Sequence, residues 1–187
     1  MSAKARVRKT AAKDIQHPGS FETRSAPALS AGFEEAAGAA TYAVGPADLL
    51  GGRRFLGREV GNNLDAHDLI VEGLPTRALG HLIDGLSQLG LSDSLDKAVG
   101  ISLRTWQRRR EEPARLLSPE QSGRTWKFAE ILAHATAVFG SQAEAEAWLE
   151  RPAMGLNQRR PIDLLATSAG VELVETHLYR IEYGVYM

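Results

Sequence analysis

The sequence predicts an all-α fold in which a helix-turn-helix domain is followed by a small helical domain. Three observations indicate this fold. Apolar residues recur at alternating spacings of three and four, as they do along one side of a helix. Residues that cap helices stand before these stretches, and glycines stand after them. No stretch alternates apolar and polar residues in the way that a half-buried strand does.

The elements follow from this pattern in chain order. Residues 1–45 are predicted to form a disordered basic leader, because they are rich in small and polar residues and show almost no apolar periodicity. Order is expected to begin near Pro46. About eight short helices are predicted after it, over residues 65–73, 76–90, 92–99, 103–111, 118–139, 141–151, 161–165 and 171–181.

Capping residues set the expected helix ends. Asp65 is predicted to cap the first helix, and Gly90 is predicted to close the second. Ser118 followed by Gln121 forms a capping box, and Gly140 is the expected stop of the helix that this box opens. These signals divide the ordered chain into residues 46–117 and residues 118–187.

Length and composition narrow the classes of protein. The 187 residues carry a formal net charge of −1 and include no cysteine, which excludes disulfides and thiolate chemistry. No apolar run reaches the roughly 18 residues that a membrane span needs, and the basic N-terminus lacks the apolar core of a signal peptide. A cytoplasmic protein is therefore expected. Residues 101–127 are basic and residues 128–187 are acidic, which predicts two surfaces with different partners.

Residues 91–113 have the sequence logic of a helix-turn-helix. Gly100 supplies the residue that tolerates a positive φ at the turn. Four apolar residues are expected to lock the two helices together: Leu95, Val99, Ile101 and Trp106. The second helix would then expose polar and cationic side chains suited to base edges and phosphates, namely Ser102, Arg104, Thr105, Gln107, Arg108 and Arg109. A purely structural helical hairpin with a solvated arginine face is the alternative, and Asp96 replaces the small residue usual at its position of the motif.

The chain from about residue 65 onward resembles the Xre/MbcA/ParS-type antitoxins, the partners of RES-domain toxins. The resemblance lies in a GLP motif before the helix-turn-helix and in a series of motifs after it. In order, these are LSPEQSGR at 117–124, AVFG at 137–140, AWL at 147–149, Pro152, Leu156, RPIDLL at 160–165, Thr167, Gly170, Leu178 and RIEYGVY at 180–186.

This resemblance implies a labile antitoxin with two binding activities. The helix-turn-helix would bind promoter DNA as an autorepressor. The C-terminal domain would neutralise a RES toxin, an enzyme that consumes NAD, by covering the active-site cleft with its tail. The residues expected to contact the toxin are Arg159, Arg160, Arg180, Tyr183, Gly184, Val185, Tyr186 and Met187. A homodimer is expected, because a helix-turn-helix usually reads a two-fold site.

Several of these residues also have simpler interpretations. In the simpler interpretation Arg160 only caps a helix, and Asp163 is better placed for the positive end of a helix dipole than for the toxin. Trp126 and Trp148 are expected in the core. The apolar tail at Tyr186 and Met187 is too terminal to be core, so a toxin or the antitoxin dimer would cover it.

The sequence contains no pattern typical of an enzyme. The five histidines form no metal-like pair, and neither a glycine-rich phosphate loop nor a GxSxG elbow is present. No cofactor is expected. His81 and His134 lie in helix stripes, where a structural role is expected. Two other functions stay open beside the antitoxin: a free-standing dimeric repressor with a C-terminal dimerisation domain, and an adaptor in which the helix-turn-helix no longer binds DNA.

Overall fold

The computed structural model describes residues 44–89 and 93–184, and of residues 93–95 it describes the backbone alone. The predicted leader up to residue 43, Gly90, the side chain of Leu95 and the tail residues Val185, Tyr186 and Met187 therefore lie outside the described residues. The described part contains ten α-helices, one 3-10 turn and no strand, which confirms the all-α prediction.

The helices follow one another with short connections. They are α1 (Pro46–Leu49), α2 (Gly52–Leu56), α3 (Asn63–Glu72), α4 (Thr76–Asp84), α5 (Asp93–Val99), α6 (Leu103–Arg109), α7 (Pro119–Phe139), α8 (Gln142–Glu150), α9 (Pro161–Leu164) and α10 (Ser168–Glu182). The 3-10 turn, Met154–Leu156, lies between α8 and α9. The short helices α1 and α2 lie in a region where the sequence predicts only that order begins.

The core is built around α7, which packs against α1, α3, α5, α8 and α10. Its predicted apolar side is buried at Phe128, Ile131, Leu132 and Ala135. Trp126 is buried as expected, and Trp148 is half-buried against the same core. Because α7 contacts helices from both ends of the chain, the described residues share one continuous core.

The caps of α7 agree with the prediction. The Ser118 hydroxyl accepts a hydrogen bond from the Gln121 N–H, and the Gln121 side chain accepts one from the Ser118 N–H. Gly140 ends the helix in the left-handed region at φ 81°. Ser141 caps α8 by accepting a bond from the Glu144 N–H at 3.3 Å.

The predicted starts of α3 and α10 were wrong by a few residues. The cap of α3 is Asn62, whose side-chain oxygen accepts bonds from two backbone N–H groups, while Asp65 lies inside the helix and accepts a bond from the Gly61 N–H. The cap of α10 is Thr167, whose hydroxyl accepts the Gly170 N–H at 3.1 Å. In both cases a cap upstream of the predicted residue satisfies the N–H groups of the first turn.

The predicted helix over residues 76–90 is shorter than expected, because a buried carboxylate binds the chain after it. The helix ends at Asp84 with Gly85 as its cap. Glu146 of α8 is fully buried, and its Oε2 accepts hydrogen bonds from the N–H groups of Ser87, Gln88 and Leu89 at 2.8, 2.5 and 3.2 Å. Its Oε1 accepts a bond from Gln142 at 2.7 Å. The loop before α5 is therefore held by the C-terminal part of the chain.

Candidate DNA-binding and partner-binding surfaces

The helix-turn-helix consists of α5, the turn at Gly100 and α6. Gly100 has a φ of 75°, which favours glycine, and a Cβ added there would also displace the Arg124 guanidinium, 2.4 Å away. Arg124 of α7 donates hydrogen bonds to the carbonyls of Lys97 and Ala98, which are at the end of α5. Arg124, one of the basic residues of the segment 101–127, thus stabilises the turn of the helix-turn-helix.

The predicted locking residues of the turn are buried where the structure describes them. Val99 is 1% exposed, Ile101 is 6% exposed and Trp106 is 5% exposed. Trp106 packs close to Gly80 of α4, where a Cβ would come within 3.2 Å of the indole ring. The second helix is therefore anchored on one side, and its other side is left for contacts with a partner.

The outer side of α6 presents most of the predicted DNA-binding residues. Ser102, Arg104, Gln107 and Arg108 are exposed, and Thr105 is half-buried. Ser102 is also the cap of α6, since its hydroxyl accepts the Thr105 N–H at 3.3 Å. Within the described residues, neither Arg104 nor Arg108 forms an ion pair or a side-chain hydrogen bond.

Arg109, the last of the predicted DNA-binding residues, has a different environment. It is half-buried, and its Nη1 donates to Gln121 Oε1 at 2.9 Å. Its Nε is buried without a hydrogen-bond partner among the described residues. Arg110 faces Asp84 at 3.9 Å. The arginine run at 108–110 thus divides into one free cation and two that are engaged within the chain.

Arg160 of the RPIDLL motif lies at the start of α9 and is fully engaged within the chain. Its guanidinium makes a two-point contact with the carboxylate of Asp163, both bonds at 2.8 Å, and a third bond with Glu150 at 2.8 Å. Lys97 of α5 binds the same Asp163 carboxylate at 2.7 Å. This cluster therefore joins the first helix of the helix-turn-helix to the motif that follows α8.

Electrostatics agree with this geometry. The hydrogen bonds from Arg160 lower the pKa of Asp163 against the opposing effect of burial, and the bond from Lys97 lowers it further, so that it falls from 3.8 to about 2. The same Asp163 contact raises the pKa of Arg160. Asp163 is thus charged across the neutral pH range, and it holds two cations from different parts of the fold.

The other predicted toxin-contact residues that are described lie on the surface. Arg159 and Arg180 are exposed, and neither forms an ion pair within the described residues. Tyr183 is 71% exposed at the end of α10, and Gly184 follows it with a φ of 66°. The helix thus ends on an exposed aromatic residue, and one glycine separates it from the three residues that are not described.

Two segments of the chain match models of protein families. Residues 65–130 match the antitoxin Xre-like helix-turn-helix domain, and residues 134–184 match the antitoxin Xre/MbcA/ParS C-terminal toxin-binding domain. A curated relative, Antitoxin Xre of Pseudomonas putida (strain KT2440), is 30% identical over 128 residues, which are 67% of this chain and 76% of the relative. The chain belongs to the Xre-type antitoxin family.

An Xre-type antitoxin of this kind has a helix-turn-helix for DNA and a toxin-binding domain for a toxin partner. Helix α7 begins in the first matched segment and ends in the second. The boundary between residues 117 and 118 stays a prediction. No helix in the described parts of the chain combines the length and the apolar character that crossing a bilayer requires.

The toxin-binding domain of this antitoxin also contains surface residues that the sequence reasoning missed. Met154 is 84% exposed at the 3-10 turn, and Arg151 is exposed three residues before it. His177 of α10 lies beneath this turn, because a Cβ at Gly155 would come within 2.5 Å of its ring. The signal available in the sequence was an apolar residue flanked by Pro152 and by a run of polar residues.

Three histidines of the described residues, His81, His134 and His177, pack against aromatic rings. His134 is buried, its Nε2 lies 2.9 Å from Glu182 Oε2, and its ring packs against Tyr179. His177 stacks on Trp148 with a ring-centroid distance of 6.2 Å, and burial followed by the nearby charge of Arg180 lowers its pKa. His81 stacks on Phe55 with centroids 4.6 Å apart. Within the described residues, no three metal-binding side chains are close enough to hold an ion.

Proposed function

We propose that this antitoxin neutralises a RES-domain toxin that degrades NAD, and that it represses its own promoter through α6 as a homodimer in the cytoplasm. The observation that carries the toxin part is the end of α10. There the toxin-binding domain presents the exposed Tyr183 and then Gly184, and the apolar residues Val185, Tyr186 and Met187 follow. Covering an apolar aromatic tail in a cleft removes its surface from water, which favours binding.

The structure narrows which residues are proposed to contact the toxin. Arg159, Arg180 and Tyr183 have free, exposed side chains, which supports direct contact. Arg160 already binds two carboxylates within the chain, so its proposed role is to position α9 and the loop before it. The tail residues 185–187 are proposed to enter the active-site cleft.

The proposed DNA contact is the exposed side of α6. Arg104 and Arg108 are free to neutralise phosphates, and Ser102, Thr105 and Gln107 lie on the same helix for contacts with base edges. Arg109 supports the helix from its inner side through Gln121. The overall charge of −1 makes this local basic face important, because the chain as a whole does not attract DNA.

Two measurements test the proposed function. Co-expression with a RES toxin, followed by an NAD assay, compares the full chain with a chain that lacks residues 185–187. We expect NAD to be preserved by the full chain and depleted with the truncated one, and equal protection by both would contradict insertion of the tail. A gel shift with the upstream DNA should show salt-sensitive binding by both chains. Protection by neither chain would contradict RES-toxin neutralisation.

A further inference from the structure

Met154 is the most exposed of the large apolar residues in the described chain, with 84% of its surface accessible. It lies at the first position of the 3-10 turn Met154–Leu156, inside the segment that matches the toxin-binding domain. A methionine side chain is unbranched and polarisable, so it adapts readily to an apolar pocket. Its exposure on this domain needs an explanation that packing within the chain does not give.

The loop that carries Met154 is held in one conformation. The Ala153 N–H donates to the Arg159 carbonyl at 3.0 Å, and the Gln158 N–H donates to the Ala153 carbonyl at 3.0 Å. Asn157 and Gln158 both have left-handed backbones, with φ of 54° and 61°. Leu156 is buried, and the His177 ring lies against Gly155. Because the loop is already ordered, binding of a partner to Met154 costs little conformational entropy of the loop.

The charges around this loop differ from those of its surroundings. Residues 128–187 contain four arginines and eight acidic residues. Three of these arginines, Arg151, Arg159 and Arg180, are exposed and form no ion pair in the described residues. The fourth, Arg160, pairs with Glu150 and Asp163.

All three free arginines lie near the loop. Arg151 precedes it, Arg159 pairs with Ala153 through the backbone, and Arg180 lies one helical turn beyond His177. Within the described residues of this acidic segment, the free cations thus lie before the loop, at its end and on the helix that packs against it.

We propose that Met154 and these three arginines form a second contact surface for the toxin, separate from the tail, and that it fits an apolar pocket bordered by carboxylates. This inference rests on the proposed function, because the partner is the same toxin. Arginine beside an apolar anchor is a combination that interface hot spots favour, and its charges give the surface electrostatic specificity. The tail blocks the cleft, and the loop surface supplies affinity outside it.

The test measures binding of the purified toxin to the full chain and to two variants by calorimetry. We expect Met154→Asp to weaken binding about 30-fold, since it places a carboxylate against carboxylates and removes the anchor. Leu64→Asp is the matched control, because Leu64 is 68% exposed on α3, outside the toxin-binding domain. It should change the affinity less than twofold. Both substitutions are at exposed positions, so the melting temperatures should equal that of the wild type.

A second arm separates this surface from the tail. The chain that lacks residues 185–187 should still bind the toxin, and Met154→Asp in that shorter chain should abolish the remaining binding. Loss of all binding on removal of the tail, or an unchanged affinity for Met154→Asp in the full chain, would overturn the second surface and leave the tail mechanism intact. Absence of binding by the wild type would instead overturn the proposed function and this inference with it.

Discussion

Each of the two candidate surfaces contains a pair of neighbouring arginines, and in each pair one residue is free and the other is engaged. On α6, Arg108 is exposed without a partner, while Arg109 binds Gln121 from a half-buried position. Before α9, Arg159 is exposed, while Arg160 binds Asp163 and Glu150. Adjacent residues of one type therefore have different environments, and helix geometry or loop geometry decides which residue is left exposed for a partner.

The two engaged arginines differ in what they hold together. Arg109 makes one hydrogen bond to a neutral side chain, and this bond joins α6 to the first turn of α7. Arg160 makes three charge-assisted bonds, and through Asp163 it shares a carboxylate with Lys97 of the helix-turn-helix. Charge-assisted, two-point contacts are stronger and more directional than neutral ones. The comparison predicts that Arg160 contributes more to folding than Arg109.

The largest effect is expected at Arg160. Arg160→Ala removes the two-point partner of Asp163, which should cost about 2 kcal/mol of folding free energy. For a chain of this size, that loss lowers the melting temperature by about 4–8 °C. Arg159→Ala is the matched control and should melt with the wild type in a thermal scan followed by circular dichroism. Equal melting of the two variants would contradict the assignment of Arg160 to the fold.

A smaller effect is expected on α6. Arg108→Ala should weaken binding to the upstream DNA about fivefold and lower the slope of log K against log salt by about 1, because one phosphate contact is lost. Its melting temperature should not change. Arg109→Ala should instead lower the melting temperature by about 2–4 °C, since one hydrogen bond is lost, and should leave the salt slope as it is. Reversed behaviour of the two variants would show that Arg109 is the DNA-contacting residue.

A further effect is confined to acid pH and concerns stability. The pKa of Asp163 in the folded chain is about 2, below its ordinary value of 3.8, so its contribution to stability is complete above about pH 4. That contribution is lost as the pH falls from about 4 towards 2. Urea titrations should therefore show a gap in unfolding free energy between wild type and Asp163→Asn that is constant near neutral pH and closes below pH 4. A gap that persists at pH 2 would contradict the ion pairing.

The sequence predicted the fold best where the signal is local. The caps at Ser118 and Gly140 and the positive φ of Gly100 depend on neighbouring residues, and all three agree with the structure. The end of α4 depends on Glu146, which lies more than fifty residues away, so the residues around the end of α4 do not predict where the helix stops. The start of α3 was missed because Asn62 and Asp65 are both cap formers, and it is the Asn62 side chain that accepts the N–H groups of the first turn, while Asp65 accepts the Gly61 N–H.

In the candidate sites, too, the features that depend on local sequence were predicted and those that depend on distant residues or on loop conformation were not. The exposed side of α6 follows from helix periodicity, because Trp106 fixes which side is buried. The roles of Arg159 and Arg160 do not follow from the sequence, because Asp163 is adjacent but Lys97 and Glu150 come from other elements. Met154 was missed because its exposure results from the loop conformation at Asn157 and Gln158, which lies outside helix periodicity.

The buried side chain of Glu146 has a consequence for how the two parts of the fold unfold. It accepts hydrogen bonds from three N–H groups of the loop that leads into α5, so unfolding of α8 removes the protein partner of those groups. Unfolding of α8 is therefore expected to loosen the loop that leads into the helix-turn-helix as well. A protease that cuts within α8 is therefore expected to destabilise both parts of the fold.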